Sequence, residues 1–303
     1  MRKAFADAIL AHCNHDDWFF LTGDLGFMAL EEVEAAFATR FVNAGVAEQN
    51  MIGVAAGLAR ESLRVIVYSI APFCYARPFE QIRNDLCLGR LPVCLVGNGG
   101  GYAYGHMGPT HHALEDCAAM NALGVRVLVP AFDDDLPALL AQLDAPTYLR
   151  LGYDIRPVGQ AVAEYAPWRE VLPGSCGAIA ALGPIAGLAW QALADLDIDA
   201  RPSVWAVCEF ADAEIPSRFL DQIAGRPLYV LEEHVAQGGL GMNLALGLAA
   251  RGLAAGRFVH RPALGYPTGR FGSQAFHRAQ CGLDASSIRS MVTGRKNESR
   301  RQA

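Results

Sequence analysis

Residues 41–60 read FVNAGVAEQNMIGVAAGLAR, and the rest of the chain is organised around this stretch. A short β-leaning run breaks at Asn43 and Gly45, and a helix of small and apolar residues follows. Glu48 is a lone carboxylate in the first turn of that helix, where the positive end of the helix dipole favours an anion. The helix carries no other charge until Arg60, so we expect it to be buried. An acid at this place indicates either N-terminal capping or a ligand for Glu48.

The composition is typical of a well-buried globular enzyme. The chain has 303 residues, of which 52% are hydrophobic and 18% charged, and this length favours two domains. The net charge is −6 and basic residues cluster only in the C-terminal tail, so nucleic-acid binding is not expected. We expect no secretory signal, and no apolar run is long enough to span a membrane. The eight cysteines form no C-x-x-C pair and lie mostly in apolar runs, which indicates reduced thiols and a cytoplasmic location.

Strands and helices alternate along the chain, which predicts an α/β fold. In the first half we expect strands at 18–21, 41–42, 64–68, 92–96, 126–129 and 147–150, and helices at 3–12, 30–38, 72–88, 114–123 and 133–143, in addition to the helix of the central stretch. In the second half we expect strands at 178–182, 203–207, 228–231 and 258–260, and helices at 184–194, 239–250 and 285–292. Continuously apolar strands predict mainly parallel sheets with helices on both faces. Ligands bind such sheets beyond the carboxyl ends of the strands.

These elements divide into two domains. We expect a first domain at 1–152, a linker at 153–174, a second domain at 175–295 and a solvated tail at 296–303. The linker is polar, contains proline and shows no periodicity.

The stretch NAGVAEQNMIGVAAGLA (residues 43–59) resembles the cofactor motif of the transketolase family. The resemblance covers roughly residues 1–295 and corresponds to the second and third domains of a transketolase, without the first. It implies a thiamin-diphosphate-binding fold of the pyrimidine type, followed by a transketolase C-terminal-like domain. In that family the glutamate matching Glu48 hydrogen-bonds the aminopyrimidine ring of thiamine diphosphate. We expect Glu48 to lie buried and away from cations, where it would help to hold or share a proton.

Four more residues are implied as cofactor contacts by the resemblance. Phe73, in YSIAPFCYARPFEQIRND, matches one of two aromatic residues that wall the pyrimidine ring, and Ile70 stands where the other usually lies. Val46 falls at the position that helps to keep the cofactor bent. Asp24 matches an acid near the cofactor. Ordinary core packing for Phe73 and a strand-end cap for Asp24 are the alternatives.

The family holds the diphosphate and its metal with a G-D-G motif, and this chain has none. The nearest match, Gly23-Asp24-Leu25, belongs to a different stretch. We therefore expect the diphosphate and Mg²⁺ (or Ca²⁺) to be held by an N-terminal transketolase-like partner chain. The family analogy implies a homodimer of this chain flanked by two partner chains, an α2β2 heterotetramer.

The segment GHMGPTHHALED (residues 105–116) resembles the family's G-x-D-G-P-T-H segment, whose histidine contacts the substrate. That residue is His111, and imidazole can move protons near neutral pH. We also expect His106 near the substrate. A metal site made by His106, His111 and His112 is the alternative, but no cysteine or acid completes a tetrahedral set. We therefore expect no metal ligand in this chain.

Two arginines match positions that grip a sugar phosphate in the family, Arg150 and Arg2. Arginine binds phosphate through two parallel hydrogen bonds, so a reduced clamp can still work. Other positions depart from the family: Gly99 replaces a histidine, Met28 a serine and Met107 an aspartate. These departures indicate an unusual sugar substrate.

Near the C-terminus, VLEEHVAQGGLG and LGYPTGRFG resemble the transketolase C-terminal domain. The GGLG turn before a helix could bind an anion. A helix-entry turn with close packing is the alternative.

The leading hypothesis is one subunit of a split, thiamine-diphosphate-dependent transferase that moves a two-carbon ketol unit from a ketose to an aldose. One rival is an enzyme that uses pyruvate, resembling either the beta chain of a 2-oxo-acid dehydrogenase or 1-deoxyxylulose-phosphate synthase. Another rival is a scaffold subunit that keeps the fold without the chemistry.

Overall fold

The computed structural model describes residues 1–13, 16–210 and 214–294. The strands of this part are β1 Trp18–Thr22, β2 Phe41–Asn43, β3 Arg64–Ile70, β4 Val93–Asn98, β5 Arg126–Leu128, β6 Thr147–Leu151, β7 Trp168–Leu172, β8 Ala178–Leu182, β9 Ser203–Val207, β10 Glu209–Phe210, β11 Pro227–Leu231 and β12 Arg257–Arg261. The helices are α1 Arg2–His12, α2 Glu31–Phe37, α3 Glu48–Arg60, α4 Ala71–Ala76, α5 Phe79–Gln81, α6 Asp116–Ala122, α7 Leu136–Leu140, α8 Ile185–Leu193, α9 Ser217–Ile223, α10 Leu240–Ala250, α11 Gln274–Cys281 and α12 Ala285–Thr293. The tail expected at 296–303 lies outside the described residues.

The first sheet has seven strands in the order β10-β5-β6-β4-β3-β1-β2. All pairs are parallel except β10 with β5. Alternate side chains of β3 enter two different cores, Val65 and Val67 on one face and Ile66 and Tyr68 on the other. The sheet therefore buries both faces, which explains its continuously apolar strands.

The second sheet has five strands in the order β12-β11-β8-β9-β7, with only β7 antiparallel to its neighbour. Helices α8 and α12 pack on one face, and α9 and α10 pack on the other. The α/β fold class with two mainly parallel sheets is confirmed.

Some helices and strands differ from the expected ones. Strand β7 lies inside the stretch expected to be a linker, where it pairs with β9. The helix expected at 72–88 is divided into α4, α5 and a π-helical turn at Ile82–Cys87. The division falls at Pro78, because proline lacks the N–H that a continuous helix needs. The structure also adds α9, α11 and β10, which were not predicted.

Helix α3 buries one face and exposes the other. Met51, Ile52 and Ala55 are buried against the sheet, with the spacing that places side chains on one side of a helix. Gly53 and Gly57 lie on the outer side, where a Cβ on either would meet nothing within 4 Å. The expectation of a fully buried helix is therefore wrong for the chain by itself.

The GGLG turn enters α10 as a helix-entry turn. The carboxylate of Glu232 is fully buried and accepts hydrogen bonds from the amides of Leu240, at 2.7 Å, and Gly241, at 3.0 Å. His260 Nε2 lies 2.6 Å from the same carboxylate. Because an internal acid already occupies this helix N-terminus, the alternative of an external anion is not supported.

The two sheets meet along a polar seam, defined here by Arg150, Asp116 and Glu233. Arg150 Nε donates to Asp116 Oδ2 at 2.8 Å, and Arg150 Nη2 donates to the carbonyl oxygens of Ala113 and Glu233, at 2.7 and 2.9 Å. Glu233 Oε1 in turn accepts from Arg278 Nε at 2.5 Å. The seam therefore ties the part of the chain with the first sheet to the part with the second sheet through buried, charge-assisted hydrogen bonds.

Within the described residues, no helix is both long enough and apolar enough to cross a lipid bilayer. Six of the eight cysteines are buried, and none of the eight is in a disulfide. Burial raises the pKa of the Cys13 thiol to about 12, so this thiol is poorly reactive at neutral pH.

Candidate active site

The predicted site residues follow strands whose carboxyl ends meet at one edge of the first sheet. Four parallel strands lie side by side there in the order β4-β3-β1-β2. Asp24 follows β1, Glu48 follows β2 after a short turn, and Ile70 ends β3, while the glycine-rich loop follows β4. This edge is where parallel α/β sheets bind their ligands.

The turn before α3 is held by Asn43. Its Oδ1 accepts from the amides of Asp24 and Gly45, both at 3.0 Å, and its Nδ2 donates to Asp24 Oδ1 at 3.2 Å. Asp24 has a φ of 60°, which is unusual for a residue other than glycine. Asn43 thus links the ends of β1 and β2 and fixes where Glu48 begins its helix.

Glu48 is 5% exposed, and its carboxylate bonds to an arginine rather than capping its own helix. Arg77 Nη1 lies 2.5 Å from Glu48 Oε1. Among the described residues, no bond joins this carboxylate to a helix amide, so the capping alternative is not supported. The expectation that Glu48 lies away from cations is wrong, because Arg77 reaches it from the end of α4.

Phe73 is the centre of an aromatic and charged group that we call the Phe73 cluster: Glu48, Phe73, Arg77, Tyr104 and His111. The guanidinium of Arg77 lies 3.8 Å from the centroid of the Phe73 ring. The ring of His111 meets the Phe73 ring edge to face at 5.1 Å, and the ring of Tyr104 lies 5.9 Å from His111. The structure therefore brings Glu48, Phe73 and His111 together, as the resemblance implies.

His111 is half-buried, and its Nδ1 lies 2.8 Å from the hydroxyl of Thr110. This contact fixes the ring orientation and leaves Nε2 as the second nitrogen for proton transfer. His106 lies on the same loop, in a short turn, and is exposed. His112 points away into the domain seam, where its Nδ1 lies 2.7 Å from the hydroxyl of Tyr266. The three histidines thus do not share a ligand geometry.

The remaining predicted cofactor residues differ in exposure. Val46 is 72% exposed, and Ile70 is 8% exposed at the end of β3. Asp24 is exposed at the turn held by Asn43. Val46 and Asp24 therefore lie accessible at the sheet edge, whereas Ile70 belongs mostly to the core.

The two predicted phosphate-binding arginines lie in different surroundings. Arg2 is exposed, donates to the carbonyl oxygen of Phe27 at 2.9 Å, and places its charge near the hydroxyls of Tyr68 and Tyr104. Arg150 is 4% exposed, and its Nε and Nη2 donate hydrogen bonds within the seam. The geometry does not support a substrate-binding role for Arg150, because a substrate would have to displace these internal partners.

One group of described residues offers a metal-like arrangement away from the Phe73 cluster. Asp116, Cys117 and His234 place one potential ligand atom each within 4.8 Å of one another. However, Asp116 Oδ2 accepts from Arg150, and His234 Nε2 accepts from the amide of Ala118 at 3.2 Å. Asp116 Oδ2 and His234 Nε2 are therefore already bonded inside the chain, and among the described residues only Asp116 Oδ1 of these two side chains lacks a partner. One unpaired oxygen does not make a metal site, so we assign no ion to this group.

Sequence reasoning missed three contributors to the site: Arg77, Asn43 and Tyr104. Arg77 is four residues after Phe73, a spacing that places both side chains on one side of a helix. That spacing was a usable signal. Nothing in the sequence indicated that the Tyr104 hydroxyl would accept a hydrogen bond from Asn98, at 2.7 Å.

Residues 1–152 match the family model described as "Transketolase, pyrimidine binding domain". The chain is 31% identical over 253 residues to a protein from Phocaeicola vulgatus that is named as a subunit of apulose-4-phosphate transketolase, covering 79% of this chain and 80% of that one. It is 29% identical over 302 residues to a putative transketolase C-terminal section from Methanocaldococcus jannaschii, covering 95% and 93%. It is also 32% identical to 1-deoxy-D-xylulose-5-phosphate synthase 1 from Geobacter metallireducens, of which it spans 42%.

Solved structures show a likeness to the same family. A structure described as "Split gene transketolase, inactive beta4 tetramer" superposes with a TM-score of 0.78 at 26% identity, covering 97% of this chain and 96% of that one. The transketolase from Leishmania mexicana superposes with a TM-score of 0.75 at 18% identity over 45% of its length. The second likeness shows the fold alone.

Proposed function

Because this chain belongs to the transketolase family, we propose that it is the pyrimidine-binding and C-terminal subunit of a split ketol transferase that uses thiamine diphosphate. One observation carries the proposal. At the ligand-binding edge of the sheet, the flat guanidinium of Arg77 bonds to the buried carboxylate of Glu48 and stacks on the ring of Phe73. An acid and an aromatic face at one place are what an aminopyrimidine ring requires of a protein.

The residues present fit half of thiamine diphosphate. A flat, hydrogen-bond-donating group, the Arg77 guanidinium, already lies on Phe73 and bonds to Glu48, so the space accepts a flat donor. In the proposal Glu48 bonds the ring, Phe73 and Ile70 wall it, and Val46 and Asp24 border it. When bound, the cofactor supplies a carbon nucleophile that carries the two-carbon unit between sugars.

The other residues of the site would handle the substrate. His111 is held by Thr110 and sits beside Phe73, where its imidazole would take and return the proton of a sugar hydroxyl. His106 and Arg2 are both exposed. His106 lies two residues after Tyr104 on the same loop, and the charge of Arg2 lies near the Tyr104 hydroxyl. We propose that they contact the far end of the sugar, with Arg2 facing an anionic group.

We propose that the diphosphate and Mg²⁺ (or Ca²⁺) are held by a separate, N-terminal transketolase-like chain. The support is length: this chain covers 93% of a relative named as a C-terminal section and 80% of one named as a transketolase subunit. The outer side of α3 is exposed, and a Cβ on Gly53 or Gly57 would meet nothing within 4 Å. We propose that this side packs closely against another helix in an α2β2 assembly. Glycine lets another backbone approach a helix closely, because it has no Cβ.

A ketose phosphate is the first donor to test, because a relative is named for apulose-4-phosphate. A pyruvate-using activity is the second candidate, because a synthase of 1-deoxy-D-xylulose-5-phosphate is 32% identical over 277 residues. The donor distinguishes the two: the first releases an aldose from a ketose, and the second releases carbon dioxide from pyruvate.

The test begins with this chain as bait in extract of its own cells, followed by titration of the captured pair with thiamine diphosphate and Mg²⁺. We expect a chain with a G-D-G motif to co-purify, and only the pair to bind the cofactor. Ketol transfer is then measured with ketose donors and with pyruvate.

Glu48→Gln is the decisive variant in that assay. We expect it to lower kcat by about 100-fold or more while the pair still assembles, because an amide cannot play the acid–base part of a carboxylate. Glu61→Gln, on an exposed residue just after α3, is the matched control and should leave kcat unchanged. Full activity in the Glu48→Gln pair would refute the proposed role, and lack of any cofactor binding would favour a scaffold subunit.

A further inference from the structure

Arg77 makes two contacts that a free surface arginine would not make together. Its Nη1 lies 2.5 Å from Glu48 Oε1, and its guanidinium carbon lies 3.8 Å from the centroid of Phe73. The group is flat, carries N–H donors in its plane and stacks on aromatic rings. Those are the properties by which an aminopyrimidine would bind the same two residues.

The chain holds Arg77 in this place from two elements. Arg77 directly follows α4 with helical backbone angles, four residues after Phe73, so both side chains leave the same side of the helix. Its carbonyl oxygen accepts from Gln49 Nε2 of α3 at 3.4 Å, which ties the end of α4 to the turn that carries Glu48. The side chain is 42% exposed, whereas that of Glu48 is 5% exposed. Arg77 can therefore swing into solvent, and Glu48 cannot.

We propose that Arg77 occupies the aminopyrimidine place of this chain and is displaced when the cofactor binds. The proposal rests on the function proposed above. The guanidinium and the ring cannot lie on Phe73 and bond to Glu48 at the same time, so the two compete. A buried carboxylate without a partner lowers the stability of the folded chain. Arg77 supplies a partner for Glu48 as long as no cofactor is bound.

Two measurable effects follow, and they have opposite directions. Competition makes the apparent Kd equal to the intrinsic Kd divided by the fraction of molecules in which Arg77 has left Phe73. Removal of the guanidinium should therefore tighten cofactor binding. The same removal leaves Glu48 buried without its counter-ion, so the chain without cofactor should become less stable. A purely structural arginine would lower stability without improving binding.

The experiment compares Arg77→Met with the unaltered chain, each purified with its partner chain. Thiamine diphosphate is titrated by calorimetry in the presence of Mg²⁺, and urea unfolding is followed for the chain without cofactor. If Arg77 covers Phe73 in about nine molecules of ten, Kd falls about tenfold in the variant. The urea midpoint of the cofactor-free variant falls at the same time.

Arg77→Lys covers the case in which the methionine variant does not fold. Lysine keeps the charge beside Glu48 but has no flat face for Phe73, so stability stays near that of the unaltered chain while Kd falls several-fold. Arg83→Met is the matched control: Arg83 is exposed, and its guanidinium bonds its neighbour Asn84 at 3.2 Å. It should change neither quantity.

Unchanged or weaker cofactor binding in both Arg77 variants, with normal binding in the unaltered pair, overturns this inference alone. Weaker binding would identify Arg77 as a cofactor contact instead of a competitor. If the unaltered pair takes up no thiamine diphosphate, both this inference and the proposed function fail.

Discussion

Gly99 shapes the candidate site through the side chain that it lacks. It follows β4 with a φ of 80°, a conformation that favours glycine. A Cβ at this position would lie 2.2 Å from Cε2 of Tyr104, so the phenol ring fills the space beside the glycine. The Tyr104 hydroxyl accepts from Asn98 Nδ2 at 2.7 Å. The family resemblance predicted only that Gly99 replaces a phosphate-binding histidine. The structure shows that the phenol of Tyr104 lies beside this glycine.

We expect Gly99→Ala to lower the free energy of unfolding by about 2–4 kcal/mol, because it adds a steric clash to the cost of a positive φ. Gly124→Ala is the matched control, since Gly124 has a φ of 72° but nothing within 4 Å of an added Cβ. It should cost about 1 kcal/mol. Urea unfolding measures both, and equal losses would show that Tyr104 does not press on residue 99.

At this scale the sequence predicted the acid and the aromatic ring but not their partner. Glu48 and Phe73 could be placed because the motif resemblance fixed their positions. The contact between Arg77 and Glu48 depends on how α4 ends against α3, and that is decided by packing and by the break at Pro78. Local sequence carries no record of that packing.

At the scale of single elements, α10 shows how the chain satisfies a helix N-terminus internally. The orphan amides of Leu240 and Gly241 bond to the buried carboxylate of Glu232, and His260 of β12 approaches the same carboxylate. A Cβ on Gly241 would lie 2.4 Å from His260 Nε2, so the glycine permits this close packing. The sequence left two interpretations of GGLG open, because a turn motif does not reveal what lies opposite it.

Glu232→Gln should lower the free energy of unfolding by about 2–3 kcal/mol, since hydrogen bonds to a buried charge are lost or weakened. Glu61→Gln is the matched control, because Glu61 is exposed just after α3. Its loss should stay within about 0.5 kcal/mol. Similar losses in both variants, measured by urea unfolding, would contradict the special role of Glu232.

At the scale of the whole molecule, the two sheets are joined by buried titratable groups. His112 and His277 lie at the seam with Tyr102 and Tyr266 around them. Burial lowers the pKa of both histidines, although the charge of Glu233 opposes this effect. Both rings are therefore favoured in the neutral form in the folded protein.

The stability of the joined molecule should fall on mild acidification. A histidine with a lowered pKa binds its proton more readily in the unfolded chain, so the free energy of unfolding falls as pH drops below about 6.5 and levels off below the folded pKa. Urea unfolding at several pH values between about 5 and 8 measures the slope. His112→Gln, which cannot titrate, should reduce that slope, and an unchanged slope would rule out His112 as its source.

Much of the architecture could be predicted because it follows from local patterns. Apolar runs identified the parallel strands, and helical spacing identified most of the helices between them. Strand β7 was missed because its surroundings are polar and lack periodicity, and β10 because two residues, Glu209 and Phe210, form no pattern. The seam could not be predicted, since its contacts join residues such as Arg150 and Glu233 that lie far apart in the chain.

The place of β10 has a consequence for how the protein can be divided. This short strand comes from the second half of the chain, yet it closes the outer side of β5 in the first sheet, with Glu209 opposite Leu128. A fragment that stops at residue 152 would leave β5 as a bare edge whose amides and carbonyls can recruit other chains. Such a fragment should aggregate when it is produced alone. The first sheet is therefore complete only when Glu209 and Phe210, from the second half of the chain, have joined it.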